Sequence, residues 1–183
     1  MCIRDRYCNV KMGSSYLRQE GKVYKMSMHS RNIGCDLTFQ GTVPGWKIGD
    51  GQIPIDGGEI IQGWVIPCPR AKVEGKLFIK DKEIQVKGDG YHDHNWGNVA
   101  LPSVLDHWYW GRAHVGEYSL IFVEQIAAKK YGYARIPVFL LAKGEQVLAD
   151  DSRYFTMEAR DPVHHCFNDG HSLRPPEAPE SDI

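Results

Sequence analysis

No stretch of this 183-residue sequence reaches the roughly 18–20 consecutive apolar residues that a membrane-crossing helix needs. The opening Met1-Cys2-Ile3-Arg4-Asp5-Arg6 also lacks the apolar core of a signal peptide, and residues 1–8 read as a non-native or disordered leader. The chain therefore reads as soluble, with no transmembrane segment and the cytoplasm as the default setting. An excess of charge of either sign is missing too. The 22 basic and 23 acidic side chains nearly cancel, so no overall field draws the chain onto nucleic acid, which is set aside as a partner. The five cysteines, Cys2, Cys8, Cys35, Cys68 and Cys166, include no CxxC pair, which argues against a zinc knuckle and against a disulfide framework. They read as free thiols, with Cys68 in a turn between Pro67 and Pro69.

Helical periodicity is scarce as well. Apolar residues alternate instead over short windows punctuated by Gly, Pro, Asp and Asn, which is the pattern of half-buried strands. Strands are expected over Val23–Met28, Cys35–Val43 and Ile60–Ile66, with a Gly- and Asp-rich loop over Ile48–Gly58. A hairpin follows, Lys72–Ile79 and Glu83–Lys87 around Lys80-Asp81-Lys82. Asp106–His114 and Tyr118–Ile126 then join through a tight turn at Val115-Gly116-Glu117, and Val138–Leu141 and Gln146–Leu148 form a last hairpin. The expected fold class is all-β, an antiparallel barrel or sandwich with too few strands to close. Unclosed edges favour pairing with another chain, so aggregation or dimerisation of the isolated chain is expected, although the sequence does not fix an oligomeric state. The organisation expected is a main β domain over 9–149, then the start of a second domain and a disordered tail over 150–183, whose Pro- and Glu-rich end has the composition of unstructured chain.

Functional side chains are densest in Gly90-Tyr91-His92-Asp93-His94-Asn95-Trp96-Gly97-Asn98. If this block stays extended, His92, His94 and Trp96 share one face, and Asp93 and Asn95 the other. In the next strand the same period of two puts Trp108, Trp110, Arg112 and His114 on one face, an aromatic row ending in a cation that can wall an apolar pocket with a polar anchor. In the strand after that, Tyr118, Leu120, Phe122, Glu124 and Ile126 share a face. A carboxyl group buried in such an apolar row would tend to keep its proton and could deliver it to a substrate.

Each feature has a plainer alternative. His92 and His94 can be core histidines bonded to backbone, catalytic or ligand-orienting groups, or two ligands of a metal, although zinc takes three or four and nothing nearby in sequence completes a set. The tryptophans can be barrel core. Glu124 can face solvent or pair with Arg112. His164-His165 reads as surface.

The string Gly88-Asp89-Gly90-Tyr91-His92-Asp93-His94-Asn95-Trp96-Gly97, flanked by Pro69-Arg70-Ala71-Lys72-Val73-Glu74-Gly75 and Trp108-Tyr109-Trp110-Gly111-Arg112-Ala113, resembles the hydroxyneurosporene synthase (carotenoid 1,2-hydratase) and AttH-like family. Cys35-Asp36-Leu37-Thr38-Phe39 and Pro44-Gly45-Trp46 suit it as well. The resemblance implies two consecutive lipocalin-like barrels, of which this chain holds part of the first and the beginning of the second. It also implies a hydrophobic, isoprenoid- or polyene-like small-molecule ligand. Activities in the wider family include water addition to a double bond and polyene cyclisation. His92 and Asp93 match the hydratase motif, but His94 stands where a Trp is usual, and a Tyr-Asp pair would fall near Val123-Glu124. Carotenoid hydration itself is therefore not expected.

The function expected is a cofactor-independent hydratase, isomerase or cyclase acting on an unsaturated hydrophobic small molecule by acid–base chemistry. His92, Asp93, His94 and Glu124 are the catalytic candidates. Tyr91, Asn95, Trp96, Trp108, Trp110, Arg112 and Phe122 are expected to bind substrate, and no metal is called for. The alternative is a non-catalytic carrier of a lipid or pigment.

Overall fold

The computed structural model describes residues 8–55, 59–158 and 160, in which eleven antiparallel strands form two sheets. The calls on Cys2, Cys166, His164-His165 and the Pro-rich end lie outside the described residues, as do most of the leader and the larger part of 150–183. The first sheet contains β1 (Asn9–Met12), β2 (Ser15–Glu20), β3 (Val23–Ser30), β4 (Ile33–Gly41), β5 (Trp46–Ile55), β6 (Ile60–Ile79) and β7 (Lys82–Gly97). Its order is β1-β2-β3-β4-β6-β5, with β7 on the other side of β6. The second contains β8 (Leu105–Val115), β9 (Tyr118–Ala127), β10 (Arg135–Lys143) and β11 (Gln146–Ala149), in the order β11-β10-β9-β8.

β6 and β7 organise the molecule. The near half of β6 pairs with β5, its far half pairs with β4, and β7 follows it along nearly its whole length. Cys68 is therefore a correction: it lies inside a continuous strand and is buried, not in a turn. Pro67 and Pro69 cannot donate ladder hydrogen bonds, and the strand accommodates them with two bulges, between Val65 and Cys68 and between Cys68 and Ala71. The loop expected over Ile48–Gly58 is likewise mostly strand. β5 reaches Ile55 after a register shift between Lys47 and Gln52, where Gly49 and Gly51 take positive φ. Residues 56–58 of that call lie outside the described residues.

The two sheets meet over the near half of β6. Val43 of the β4–β5 connection and Ile53, Trp64 and Ile66 of the first sheet pack against Ile121, Val123, Val138, Leu140 and Ala142 of the second. Alternation along each strand delivers these residues to one side. On the opposite face of the first sheet, Tyr24, Cys68 and Ala71 form a second cluster with Leu17, Phe39 and Val73. That apolar face continues to the exposed Met28, Ile33, Ile79 and Ile84. β7 and β8 each leave an edge unpaired among the described residues, and the curled structure is open between them.

Candidate functional site

The motif block is strand throughout, and β7 alternates as the sequence pattern requires. Asn95 stands opposite Trp64 of β6, which belongs to the core between the sheets. Asn95, Asp93 and Tyr91 therefore face that interior. Asp93 is the centre of the arrangement. Its Oδ2 accepts one hydrogen bond from Trp64 Nε1 at 3.0 Å and another from the Tyr91 hydroxyl at 3.0 Å. Burial, reinforced by the negative charge of Asp93, pushes the Tyr91 phenol far above its usual range, so it keeps its proton and acts as donor.

β8 supplies the opposite wall. Trp108, Trp110, Arg112 and His114 pair with Gln125, Val123, Ile121 and Ser119 of β9, and so share the inward face with core residues, as the period of two predicts. Trp110 meets Tyr91 edge-on with ring centroids 5.6 Å apart, and the Arg112 guanidinium sits over the Tyr91 ring at 5.1 Å. Trp108 and Trp110 remain 55% and 43% exposed, because β8 has no neighbour on its outer side among the described residues. They offer apolar surface to whatever enters the cleft.

Of the remaining candidates, His92, His94 and Trp96 are not brought to this face. His92 stands opposite Cys68 and meets the Tyr24 ring edge-on at 5.5 Å, within the second cluster. Burial pushes its pKa down, with the nearby Asp93 charge opposing. The same burial raises Tyr24 to about 12 and Cys68 to about 11. His94 stacks on Trp96 at 5.8 Å, and the Trp96 ring lies across Gly63, where a Cβ would come within 1.9 Å of it. The Trp96 ring thus covers the outer face of β6 and does not wall the cleft. Asn95 is exposed and lines a small hollow of about 160 Å³ with Gln62, Trp96 and Val104. Among the described residues, no group of three or more His, Cys, Asp or Glu side chains is placed to hold a metal ion.

Glu124 and Phe122 need the largest correction. Glu124 is paired across strands with Tyr109 and Pro137, and Phe122 with Gly111 and Phe139, so both project from the outer face of the second sheet, away from Asp93. Phe122 lies over Gly111 and against Phe155. Glu124 is buried but not isolated among apolar groups. Arg135 donates to both its oxygens, from Nε at 2.8 Å and from a terminal nitrogen at 2.6 Å, and also caps the Met157 carbonyl. Its partner is Arg135, not Arg112, and the two-point pairing matches the carboxylate with a cation where an apolar row had been expected.

Trp64 is the residue of the candidate site that the sequence pattern does not single out. It sits in an expected strand, but only the register of β6 against β7 brings its indole to Asp93. In the sequence, Arg70 stands only within a motif flanking the histidine block. It lies at the far end of the cleft, facing Asp89 of β7 and donating to the Gly116 carbonyl.

The Diels-Alderase-like family profile matches residues 59–165, more than half of the chain and all of the cleft. The chain belongs to that family. It is 42% identical over 65 residues to a hydroxyneurosporene dehydrogenase of Chlorobaculum tepidum, a match covering 32% of this chain and 17% of that protein. It is 29% identical over 120 residues to the quinolone epoxide rearrangement protein asqO of Emericella nidulans, covering 61% and 32%. Two solved structures share the fold. A putative AttH from Nitrosomonas europaea has a TM-score of 0.58 at 15% identity, covering 73% of this chain and 42% of that one. Kievitone hydratase from Nectria haematococca has a TM-score of 0.55 at 19% identity, covering 76% and 44%. The lipocalin-like antiparallel fold and the hydroxyneurosporene synthase and AttH-like resemblance expected from the motifs are thus borne out. The chain spans less than half the length of each of these proteins.

Proposed function

We propose that the cleft between β7 and β8 is the acid–base centre of a cofactor-independent isomerase, cyclase or hydratase that acts on an unsaturated hydrophobic small molecule. The observation that carries this reading is Asp93. Two ring donors, Trp64 and Tyr91, fix one oxygen of its carboxyl group, and among the described residues no group donates to the other. A carboxylate held at one oxygen keeps its second free to take a proton from a substrate and return it at another atom, without having to reorganise. Tyr91 does not give up its proton, and its role is to position Asp93. For an alkene or epoxide the proton comes from Asp93 in its carboxylic-acid form and is restored to it from water or from a neighbouring substrate atom, and the exposed Trp108 and Trp110 present π faces to the positive charge that develops in between. The names of the relatives support this class of chemistry, since one rearranges an epoxide and another is a hydratase.

The test is to incubate the protein with a panel of polyenes, terpenoids and aryl epoxides and to follow product by liquid chromatography and mass spectrometry. Unchanged mass with altered retention is the expected result for an isomerase or cyclase, and a gain of one water for a hydratase. Turnover should disappear in Asp93→Asn. A stable complex that releases only unaltered ligand would replace the enzyme with a carrier, which the same exposed tryptophan row would serve.

A further inference from the structure

One end of the cleft differs chemically from the rest. Around His114 of β8 gather Arg70 and Lys72 from β6, Arg112 from β8 and a single carboxylate, Asp89 of β7. Lys72 Nζ lies 2.9 Å from Asp89 Oδ1. Arg70 Nε is 3.6 Å from the same oxygen, a distance for an ion pair but not a hydrogen bond. Three permanent cations and one anion thus act on His114, in a chain whose overall charge is -1.

Two nitrogens in this group are sealed from water with no hydrogen-bond partner, Arg70 Nε and His114 Nε2. The other imidazole nitrogen, Nδ1, is 3.1 Å from the hydroxyl of the fully buried Ser119. If that hydroxyl donates to Nδ1, the imidazole proton sits on Nε2 and points at nothing. Burial, followed by the charges of Arg70 and Arg112, holds the His114 pKa below its usual value, which keeps the ring neutral near pH 7. A self-contained ion network would balance its charges and use its donors, and this cluster does neither. It also adjoins a hollow of about 630 Å³, with Lys72 and Asp89 on its rim and Thr38, Gln40, Glu74 and Lys87 around it.

We propose that this cluster is an anion subsite, in which an ionised acidic oxygen group of the substrate, a carboxylate or an enolate, docks against Arg70, Arg112 and His114 with Lys72 at the rim. The proposal rests on the reading of the cleft as a substrate site and adds the substrate's class, an amphipathic organic acid. Arg112 links the two ends because it covers Tyr91, whose hydroxyl holds Asp93. Asp89 and Asp93 are four residues apart on an extended strand, so the acidic group lies about 13 Å from the reacting atoms. The apolar body between them runs along Tyr91, Trp110 and Trp108.

Tryptophan fluorescence titration with naphthalene-2-carboxylate and with its neutral isostere naphthalene-2-carboxamide, at low and high salt, tests the proposal. The carboxylate should bind about tenfold more tightly or better, as charge-assisted hydrogen bonds do, and its advantage should shrink as salt is added. Arg70→Gln and His114→Gln should each remove most of that preference. Arg70 also holds the β8–β9 turn through Gly116, so Arg70→Gln can fail to fold. Lys72→Gln, at an exposed position, then serves as the second variant and should lose a smaller part. Equal binding of the two compounds, binding of neither, or a preference that survives in both Arg70→Gln and Lys72→Gln overturns the proposal. Asp93→Asn separates the two readings, because it should abolish turnover and leave the carboxylate preference intact. If the wild type shows that preference but turns over no substrate, the catalytic reading fails and the subsite stands.

Discussion

On one face of β7, Tyr91 and Asp93 meet Trp64, Trp110 and Arg112 across an open cleft. On the other face, His92 and His94 pack against Tyr24 and Trp96, and Trp96 lies flat on Gly63. Both faces are rich in aromatic and titratable groups, and by composition either would pass for an active site. They differ in what the neighbouring strand offers. The first faces a sheet edge that no other strand covers, so its polar groups have one another and the solvent. On the second the rings lie against their own sheet, His92 against Tyr24 and Trp96 on Gly63. Chemistry needs room for a substrate next to the reactive group, and the first face borders the exposed Trp108 and Trp110 at that open edge.

The sharpest way to break this contrast is a pair of variants. Asp93→Asn should lower turnover by about 10²–10⁴-fold, the usual contribution of a positioned proton-transfer group, with His94→Ala changing it far less. Measured kcat values in the opposite order would move the active centre to the histidine face. The next largest effect is on stability. Gly63→Ala puts a methyl group into the Trp96 ring and should cost about 1–3 kcal/mol in chemical denaturation, the range for overpacking. Gly88→Ala, on the same face but with nothing within 4 Å of its Cβ, should stay within about 0.5 kcal/mol. Equal costs at the two positions would mean that Trp96 is not seated on β6.

Glu124→Gln tests the second sheet in the same way. Losing the charge partner of Arg135 should cost about 1–2 kcal/mol, less than for a fully buried pair because Arg135 is itself largely exposed, and kcat should not change. A kcat effect comparable to that of Asp93→Asn would return Glu124 to the site.

The smallest predicted effect is on the pH dependence of stability. The folded-state pKa of His92 is depressed by burial, so between that value and the unfolded-state value near 6.5 the unfolded chain binds more protons. Its contribution is therefore complete above about 6.5 and is lost as pH falls through the folded-state pKa. His114, depressed in the same sense, adds to the slope. The melting temperature should decline on acidification below about pH 6.5, and less steeply in His92→Gln. An unchanged slope would show that His92 is solvated in the folded protein.

Much of the fold was legible because strand alternation is a local property. The hairpins around Lys80-Asp81-Lys82 and Gly116, the shared face of Trp108, Trp110 and Arg112, and the division of the motif block into a histidine face and an Asp93 face all follow from a period of two. The errors came where two local signals competed. Pro67 and Pro69 flanking Cys68 read as a turn because proline usually ends a ladder, but the pairing of β6 with β4, β5 and β7 outweighed them and left bulges. Gly49 and Gly51 hid β5 for the same reason. At the site, Glu124 was assigned to a face correctly, but alternation does not tell which face of a sheet looks inward. That depends on where the other sheet packs.

The sequence by itself determined the class of fold, the family and the partition of each strand into two faces, and it holds no apolar run long enough for a membrane-crossing helix. Those properties depend on residues close together in the chain, where backbone geometry fixes direction. Only the tertiary structure decided which face of β7 meets the open edge, that Trp64 rather than a histidine holds Asp93, that Arg135 rather than Arg112 pairs with Glu124, and that Arg70 and His114 converge on Asp89. These depend on strand register and sheet packing across dozens of residues. A shift of one residue in register would reverse every one of those faces.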